Sequence, residues 1–388
     1  SVICSDKTGT LTENRMVVER LWTSNGEYEI SGVGYSPDGT LTPSADGDAL
    51  ARRAAAVAAA CNDATLVSPD GGGDWEITGD PTEGSLVAFA AKLGVVQKDF
   101  NAYCPRIAEV SFDSERRRMT TVHQRGECDI DVPEPNWVAV KGAIESIAPL
   151  LASDQAPVLE AAREVAERYA AGGYRVLALA DAGIDVVPDE PEDAEQGLRL
   201  VGIVAMADPP RESAAVAIAE ARSAGITPVM ITGDHQLTAT SIAKRLGMLD
   251  DGRDSITGEE LARMSDEELA ERVEHIGVYA RTNPEQKLRI VDAWRQRGAV
   301  SAMTGDGVND APALRKADIG VAMGLTGTDV SKEASDMSLE DDDFSTIVHA
   351  VEEGRRIYAN IRRFVRYLLT TNSAEIMVMV AAPFLGLP

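Results

Sequence analysis

The first twelve residues read Ser-Val-Ile-Cys-Ser-Asp-Lys-Thr-Gly-Thr-Leu-Thr, a short apolar strand that runs into an acid at a glycine-containing turn. Ligands of open α/β sheets bind beyond the carboxyl ends of the strands, so Asp6 is predicted to face the reaction crevice. A carboxylate in that position can ligate a metal, act as a general base, or attack as a nucleophile. The alternative is an Asp that only hydrogen-bonds its own turn.

An alternation of strands and helices appears after residue 199. This alternation predicts a doubly wound parallel α/β sheet, to which the opening strand also belongs. Three of its strands run directly into polar turns, at residues 232–234, 281–283 and 304–310. The predicted strands are 200–206, 227–231, 277–280, 299–303 and 319–323, and the predicted helices are 212–224, 237–246 and 284–297.

The intervening residues, 15–207, have a different pattern. Short strands occur in runs with helices beside them, which predicts an α+β domain inserted into the parallel-sheet domain. The predicted strands are 17–22, 28–30, 108–112, 119–123, 137–140 and 176–180, and the predicted helices are 49–61, 83–93 and 156–171.

The turns at the strand ends hold the groups that phosphoryl transfer needs, namely a nucleophile, metal ligands and donors for the phosphoryl oxygens. Asp6 and Asp306 are predicted to hold Mg²⁺ with an oxygen of Thr8, because Mg²⁺ favours one or two carboxylates plus phosphate and water. Each such residue is also typical of a turn or a helix cap, and for Asp234 and Asn283 that alternative stays open. The residues predicted to complete the site are Thr232, Gly233, Lys287, Asn309 and Asp310.

Residues 6–12, DKTGTLT, resemble the phosphorylation motif of the P-type ATPases, ion pumps that form an aspartyl-phosphate. The resemblance implies a haloacid-dehalogenase-like fold in which Asp6 is the nucleophile and Lys7 and Asp234 also serve catalysis. Phosphatases of that fold have a second Asp where this chain has Thr8. Because Thr cannot readily activate water, the aspartyl-phosphate is expected to persist, as a pump cycle requires. A soluble phosphatase with a large cap is the competing interpretation.

The inserted domain resembles the nucleotide-binding domain of calcium and sodium pumps, through residues 79–83, 112–119, 141–143 and 173–175. The resemblance implies that Phe112 stacks on adenine, and an aromatic face with a Lys and an Arg suits a nucleotide. Without the resemblance, Phe112 is more typical of a hydrophobic core. The residues that the resemblance implies for ATP binding are Glu83, Phe112, Arg117, Lys141, Gly142, Arg175, Asp208, Arg211 and Arg281.

Near the carboxyl end, residues 367–388 are mostly apolar and follow three arginines between 362 and 366. This pattern predicts a membrane-spanning segment, with a buried core helix as the alternative. Asn372 and Glu375 share one helix face and offer oxygen ligands for a hard cation. The resemblance to calcium pumps implies Ca²⁺, while a sodium- or potassium-type pump remains open. The alternative role for Glu375 is snorkelling or a hydrogen bond to a neighbouring helix.

Composition limits the other functional classes. The 388 residues carry a formal net charge of -26, which disfavours binding to nucleic acids. The four cysteines are scattered, with no Cys-x-x-Cys pair and no His close by. Neither a zinc site nor a disulfide framework is therefore indicated, and reduced thiols are expected.

Together, these patterns predict the catalytic part of an ATP-driven cation pump of the cell membrane, with ATP and Mg²⁺ as cofactors. The actuator domain and the other membrane helices are expected outside this chain, and the last segment is expected in the lipid bilayer. Residues 1–360 are expected to be cytoplasmic. A nucleotide-binding regulatory protein without turnover is the third interpretation. The expected domains are phosphorylation, 1–14 and 208–343; nucleotide binding, 15–207; and stalk with part of the fifth membrane helix, 344–388.

Overall fold

The computed structural model describes residues 1–45, 48–69, 75–126, 132–249 and 252–385. Its strands form a seven-stranded sheet, an eight-stranded sheet and a two-stranded sheet. The first strand, β1 (Val2–Asp6), pairs in parallel with a strand that begins only at Thr227. The chain therefore leaves the parallel sheet after β1 and returns to it much later, as predicted.

The insert, defined as residues 15–207, contains strands and helices that cover most of the predicted elements. Its strands are β2 (Val17–Thr23), β3 (Gly26–Ile30), β4 (Leu41–Thr42), β5 (Thr65–Val67), β6 (Glu76–Thr78), β7 (Arg106–Asp113), β8 (Arg118–Gln124), β9 (Asn136–Gly142), β10 (Arg175–Ile184) and β11 (Arg199–Ala207). Its helices are α1 (Ala49–Ala60), α2 (Pro81–Lys92), α3 (Gln97–Tyr103), α4 (Ile144–Ile147) and α5 (Ala156–Ala171).

The eight-stranded sheet of the insert is antiparallel, in the order β4-β3-β2-β11-β10-β9-β8-β7. Successive side chains of a strand point to opposite faces, and β9 illustrates the result. Trp137 and Ala139 join the hydrophobic core that contains α1 and α2, whereas Val138 and Val140 join the core that contains α5. Both faces of the sheet are thus covered by hydrophobic cores.

The parallel-sheet domain, defined as residues 1–14 and 208–343, contains β1 and six later strands. These are β12 (Thr227–Ile231), β13 (Asp254–Thr257), β14 (Ile276–Ala280), β15 (Ser301–Gly305), β16 (Ile319–Met323) and β17 (Met337–Leu339). Its helices are α6 (Glu212–Ser223), α7 (Gln236–Arg245), α8 (Gly258–Arg263), α9 (Asp266–Arg272), α10 (Pro284–Gln296), α11 (Ala311–Lys316) and α12 (Asp329–Ala334).

The parallel sheet has the order β13-β14-β12-β1-β15-β16-β17, and separate hydrophobic cores cover its two faces. β1 lies at the centre, between β12 and β15. The carboxyl ends of β1, β12, β14 and β15 therefore meet at one edge, which is where ligands of such sheets bind.

Two predictions about strands are wrong in detail. Residues 200–206 were expected in the parallel sheet, but β11 pairs antiparallel with β10 and β2 in the insert. A strand buried on both faces reads as a continuous apolar run in either kind of sheet, so its sequence does not distinguish them. The edge strands β13 and β17 were not predicted, because they are short and partly polar.

The expectation of four reduced thiols is also wrong. Cys104 is disulfide-bonded, whereas Cys4 and Cys61 are free and buried. Burial raises the pKa of the Cys4 thiol to about 12, so this side chain behaves as an inert part of the core.

The last helix, α13 (Phe344–Ala381), is 38 residues long. Its side chains Phe344, Ile347 and Val348 are buried against the parallel-sheet domain, and the residues beyond Val351 are largely exposed. Among the described residues, no helix is both long and apolar enough to cross a membrane. The predicted membrane segment is therefore not confirmed, and its residues 386–388 lie outside the described part of the chain.

Candidate active site

Asp6 is the last residue of β1 and contacts two other parts of the chain. Its Oδ1 accepts a 2.7 Å hydrogen bond from the backbone N–H of Lys7, which is the turn role that the sequence left open. Its Oδ2 lies 2.7 Å from Nζ of Lys287, in the first turn of α10. The second contact brings a cation from a distant element to Asp6, so the carboxylate does more than stabilise its turn.

Three carboxylates meet at this edge of the sheet. One oxygen from each of Asp6, Asp306 and Asp310 lies within 4.8 Å of the others. Lys287 is the counter-ion, since its Nζ also lies 2.7 Å from Oδ1 of Asp310. Burial raises the pKa of Asp6 although Lys287 opposes this shift, and burial followed by the charges of Asp6 and Asp310 raises the pKa of Asp306.

The single ammonium group of Lys287 contacts two of the three carboxylates, so the cluster keeps excess negative charge. A divalent cation would neutralise that charge, and carboxylate oxygens are the ligands that Mg²⁺ prefers. The donor set therefore fits the predicted Mg²⁺ site. Sequence reasoning missed Asp310 as a member of the carboxylate cluster and placed it only among the catalytic residues. The part of Thr8 in metal binding stays a prediction.

The loop after β15 brings Asp310 back toward Asp6. Asp310 ends a single helical turn, Val308–Asp310, and its Oδ2 accepts a 3.1 Å hydrogen bond from the N–H of Gly307. A Cβ at Gly305 would overlap the Asp310 side chain, so this close approach needs glycine. Asn309, in the same turn, is exposed.

Lys7 turns away from Asp6. Its Nζ lies 2.6 Å from Oδ2 of Asp234 and 3.6 Å from Oδ2 of Asp208. Asp234 thus has an ion-pair partner in the residue next to Asp6, beyond its place in a turn. By contrast, Asn283 is a helix cap: its side chain accepts a 2.9 Å hydrogen bond from the N–H of Gln286 at the start of α10.

Asp208 and Arg211 lie beside the loop that follows Asp6, although the resemblance implied a role in nucleotide binding. Asp208 accepts a 2.5 Å hydrogen bond from Oγ1 of Thr12. Arg211 donates to the carbonyl oxygens of Thr12 and Gly9, both at 3.1 Å. These contacts connect the loop after Asp6 to the segment by which the chain returns to the parallel-sheet domain.

The turns after β12 and β14 are tied together around Asp234. Its N–H donates to Oγ1 of Thr232 at 3.1 Å, and its carbonyl accepts a 3.0 Å hydrogen bond from the N–H of Arg281. Arg281 has a φ of 51°, which its position in this tight turn requires. Apart from its two chain neighbours, no described residue has an atom within 4 Å of the position where a Cβ would stand on Gly233, so the space beside this glycine is open.

In the insert, two basic side chains that were predicted to bind ATP contact the first turn of α2. Nζ of Lys141 lies 2.6 Å from Oε1 of Glu83, and Nη1 of Arg175 donates a 2.8 Å hydrogen bond to Oγ1 of Thr82. Phe112, at the end of β7, is 62% exposed. The core alternative for Phe112 is therefore wrong, and its ring is free to contact a ligand.

Arg117 is exposed in the turn between β7 and β8, with a φ of 53°. Its neighbours Arg116 and Arg118 both bind the carboxylate of Glu195, an interaction that the sequence did not predict. Gly142 has a packing role, because a Cβ there would overlap the backbone of Arg117 and Arg118.

The insert contacts the parallel-sheet domain through α7. Oγ1 of Thr238 donates a 3.1 Å hydrogen bond to the carbonyl of Gly173, two residues before Arg175. Both terminal guanidinium nitrogens of Arg245, Nη1 and Nη2, lie 3.1–3.2 Å from the carboxylate of Glu19 on β2. α7 begins just after the turn that holds Asp234, so these contacts link the two groups of predicted site residues.

Comparisons with known proteins find relatives that align with the whole chain. Residues 51–213 match the family model described as P-type ATPase, cytoplasmic domain N. The whole chain aligns at 45% identity with 44% of a probable cation-transporting ATPase F from Mycobacterium tuberculosis. The chain belongs to the P-type ATPase family. It also aligns over its whole length, at 40% identity, with 44% of a calcium-transporting ATPase from Bacillus subtilis and with 42% of calcium-transporting ATPase 1 from Lactococcus lactis.

The chain spans less than half of the length of these relatives. The family model covers most of the insert and ends in the first turn of α6. The predicted resemblance is thus confirmed at the level of the family, while the roles of individual residues stay predictions.

Proposed function

We propose that this chain is the catalytic part of a Ca²⁺-transporting P-type ATPase in which Asp6 accepts the γ-phosphoryl group of ATP. One observation carries the proposal: the Asp6 carboxylate lies at the centre of the sheet edge, faces Lys287, and shares its surroundings with Asp306 and Asp310. Phosphoryl transfer needs a positioned nucleophile and nearby charges that stabilise the transferred group, and this cluster offers both kinds of group.

In this proposal, Oδ1 of Asp6 stays bonded to the N–H of Lys7, which keeps the carboxylate oriented. Lys287 balances charge as the phosphoryl group arrives, and the open space beside Gly233 receives the phosphoryl oxygens. Mg²⁺, held by Asp6 and Asp306 with an oxygen of Thr8, would neutralise the charge on the transferred group. The bond between the β,γ-bridging oxygen and phosphorus breaks, ADP leaves, and an acyl-phosphate forms on Asp6.

The nucleotide would bind to the insert, with adenine on Phe112 and its phosphates near Lys141 and Arg175. The exposure of Phe112 supports this role, because a stacking ring must be accessible. Arg117 is exposed near the end of β7, close in sequence to Phe112. Asp208 and Arg211 instead contact the loop after Asp6.

Ca²⁺ is the proposed ion because two of the relatives are named calcium-transporting ATPases. Asn372 and Glu375 lie on one face of α13, and both are exposed. We propose that they ligate the ion in a longer pump of the cell membrane, with residues 1–360 in the cytoplasm. The Mycobacterium relative is named only for a cation, so a sodium pump is the second candidate.

Thr8 separates this proposal from a soluble phosphatase of similar fold. An Asp at that position could activate water against the acyl-phosphate, whereas a Thr hydroxyl is a poor base. Hydroxylamine-sensitive labelling of Asp6 from ATP tests the proposal, and a label that turns over slowly favours the pump.

A further inference from the structure

Asp342 does not serve as a helix start, although its sequence position in the acidic run 341–343 suggests one. It is 2% exposed, and its carboxylate accepts hydrogen bonds from the loop after β16. Oδ1 accepts from the N–H groups of Gly324 at 2.7 Å and Leu325 at 3.0 Å. Oδ2 accepts from the N–H of Thr326 at 2.9 Å and from its Oγ1 at 2.8 Å.

The hydrogen bonds from the loop stabilise the ionised form of the Asp342 carboxylate. Burial alone would raise the pKa of Asp342, but the hydrogen bonds from Leu325, Thr326 and Gly324 outweigh burial and lower it. The residue also has a φ of 52°, a left-handed conformation that Asp and Asn tolerate better than most residues. The neighbouring Asp343 is the actual N-cap of α13, since it accepts a 2.8 Å hydrogen bond from the N–H of Ser345.

The far end of the same loop holds the backbone of Asp306. The carbonyl oxygen of Asp306 accepts hydrogen bonds from the N–H of Thr328 at 2.9 Å and from Oγ of Ser331 at 3.0 Å. The loop has little freedom between its two ends. A Cβ at Gly327 would overlap the carbonyl of Met323, so the chain folds back tightly on β16.

We infer that Asp342 is a positioning residue for Asp306. By binding residues 324–326 it holds residues 324–328 in one conformation, and this loop fixes the Asp306 backbone and hence its carboxylate beside Asp6 and Asp310. This role rests on the proposed function, in which Asp306 helps to bind Mg²⁺. Asp342 touches neither the metal nor the substrate, so its effect must pass through Asp306.

The test uses the 388-residue chain, with Mg²⁺ as the ligand and beryllium fluoride as a stand-in for the phosphoryl group. Asp342→Asn keeps the size and tolerates the left-handed backbone, but it points an NH₂ group at N–H donors. Thr326→Val is a milder variant that removes only the hydroxyl donor. The control is Asp341→Asn, because Asp341 is exposed and contacts Thr346 at 2.6 Å instead of the loop.

Calorimetric titration should show Mg²⁺ binding weakened about tenfold or more in Asp342→Asn, about threefold in Thr326→Val, and less than twofold in Asp341→Asn. Metal-free ATP binding to the insert should not change in any variant. Hydrogen exchange of amides 324–328 should be faster in Asp342→Asn, and in the wild-type chain Mg²⁺ with beryllium fluoride should slow it.

Faster exchange in Asp342→Asn with unchanged Mg²⁺ affinity would overturn the inference, because Asp342 would then stabilise the loop without positioning Asp306. If Asp342→Asn does not fold, Thr326→Val decides by the same two measurements. If the wild-type chain binds ATP but gives no Mg²⁺ and beryllium fluoride signal, the proposed function fails and this inference fails with it.

Discussion

Nζ of Lys7 lies 2.6 Å from Oδ2 of Asp234, so the residue after the proposed nucleophile is paired with the turn that follows β12. The Lys7 side chain is only 6% exposed, and Asp208 is a second partner at 3.6 Å. This buried cation joins the loop after Asp6, the turn at Asp234 and the return of the chain at Asp208. It therefore holds together three segments that are far apart in sequence.

Asp234→Asn is expected to lower the free energy of unfolding of the parallel-sheet domain by about 1–2 kcal/mol, because Lys7 loses its closest charged partner. The loss is limited by the 36% exposure of Asp234 and by the remaining Asp208. Asp292→Asn is the control, since it breaks a surface pair with Lys316 at 3.0 Å and should cost about 0.5 kcal/mol or less. Equal losses in urea unfolding of the two variants would contradict the assignment.

Phe112→Ala is expected to raise the dissociation constant for ATP about 5- to 150-fold, because stacking on a base is typically worth about 1–3 kcal/mol. Lys141→Ala should also weaken binding, since it removes a positive charge near the phosphates. Tyr103→Ala is the matched control, because Tyr103 is an insert aromatic that is 56% exposed. Isothermal titration with the 388-residue chain measures all three. Unchanged affinity in Phe112→Ala would remove this ring from the nucleotide site.

The sequence predicted the structure best where an apolar strand pattern is followed directly by a turn of polar residues. The strand ends at Asp6, Thr232 and Gly305 could be predicted to meet, because parallel strands share one orientation and each runs into a polar turn. β11 was assigned to the wrong sheet because its neighbours, and not its residues, decide whether its pairing is parallel.

Contacts that depend on loop geometry could not be predicted in the same way. Asp310 was recognised as part of a motif, but its distance from Asp6 depends on a turn that closes on Gly305. Asp341, Asp342 and Asp343 are adjacent acids with three different environments, and only the fold distinguishes them.

Acid should destabilise the insert through His123. Burial lowers the pKa of this imidazole to about 4 from an ordinary value of 6.5, and its two ring nitrogens contact Cys104 and Thr121 at 2.9 Å. The unfolded chain therefore binds a proton at a higher pH than the folded one. The contribution of His123 to stability should be constant above pH 6.5 and should fall by up to about 3 kcal/mol as the pH decreases from 6.5 to 4.

The corresponding measurement is the melting temperature of the insert at pH 7.5 and pH 4.5. In His123→Gln the drop between the two pH values should be smaller than in the wild type, because the titrating group is gone. His275→Gln replaces an exposed His outside the insert, in the parallel-sheet domain, and should keep the wild-type drop. If all three proteins lose the same number of degrees, His123 is not the group responsible.

Glu375→Gln should change the ion response of the full-length pump. If Glu375 ligates Ca²⁺, loss of its charge should move the Ca²⁺ dependence of phosphorylation from micromolar to at least about tenfold higher concentrations. Glu352→Gln is the control, because Glu352 lies on α13 well before the apolar stretch. Activation of the wild type by Na⁺ instead of Ca²⁺ would contradict the ion assignment, and an unaltered response in Glu375→Gln would contradict the ligand assignment.

The most direct test of the central claim is covalent labelling of Asp6. The full-length pump is incubated with γ-labelled ATP and Mg²⁺, quenched in acid, and digested to locate the label. The proposal predicts an acid-stable, hydroxylamine-labile label on Asp6 that is absent in Asp6→Asn and retained in Asp318→Asn, which alters a carboxylate bonded to Ser301 in the same domain. Label that persists in Asp6→Asn would contradict the assignment of Asp6 as the nucleophile.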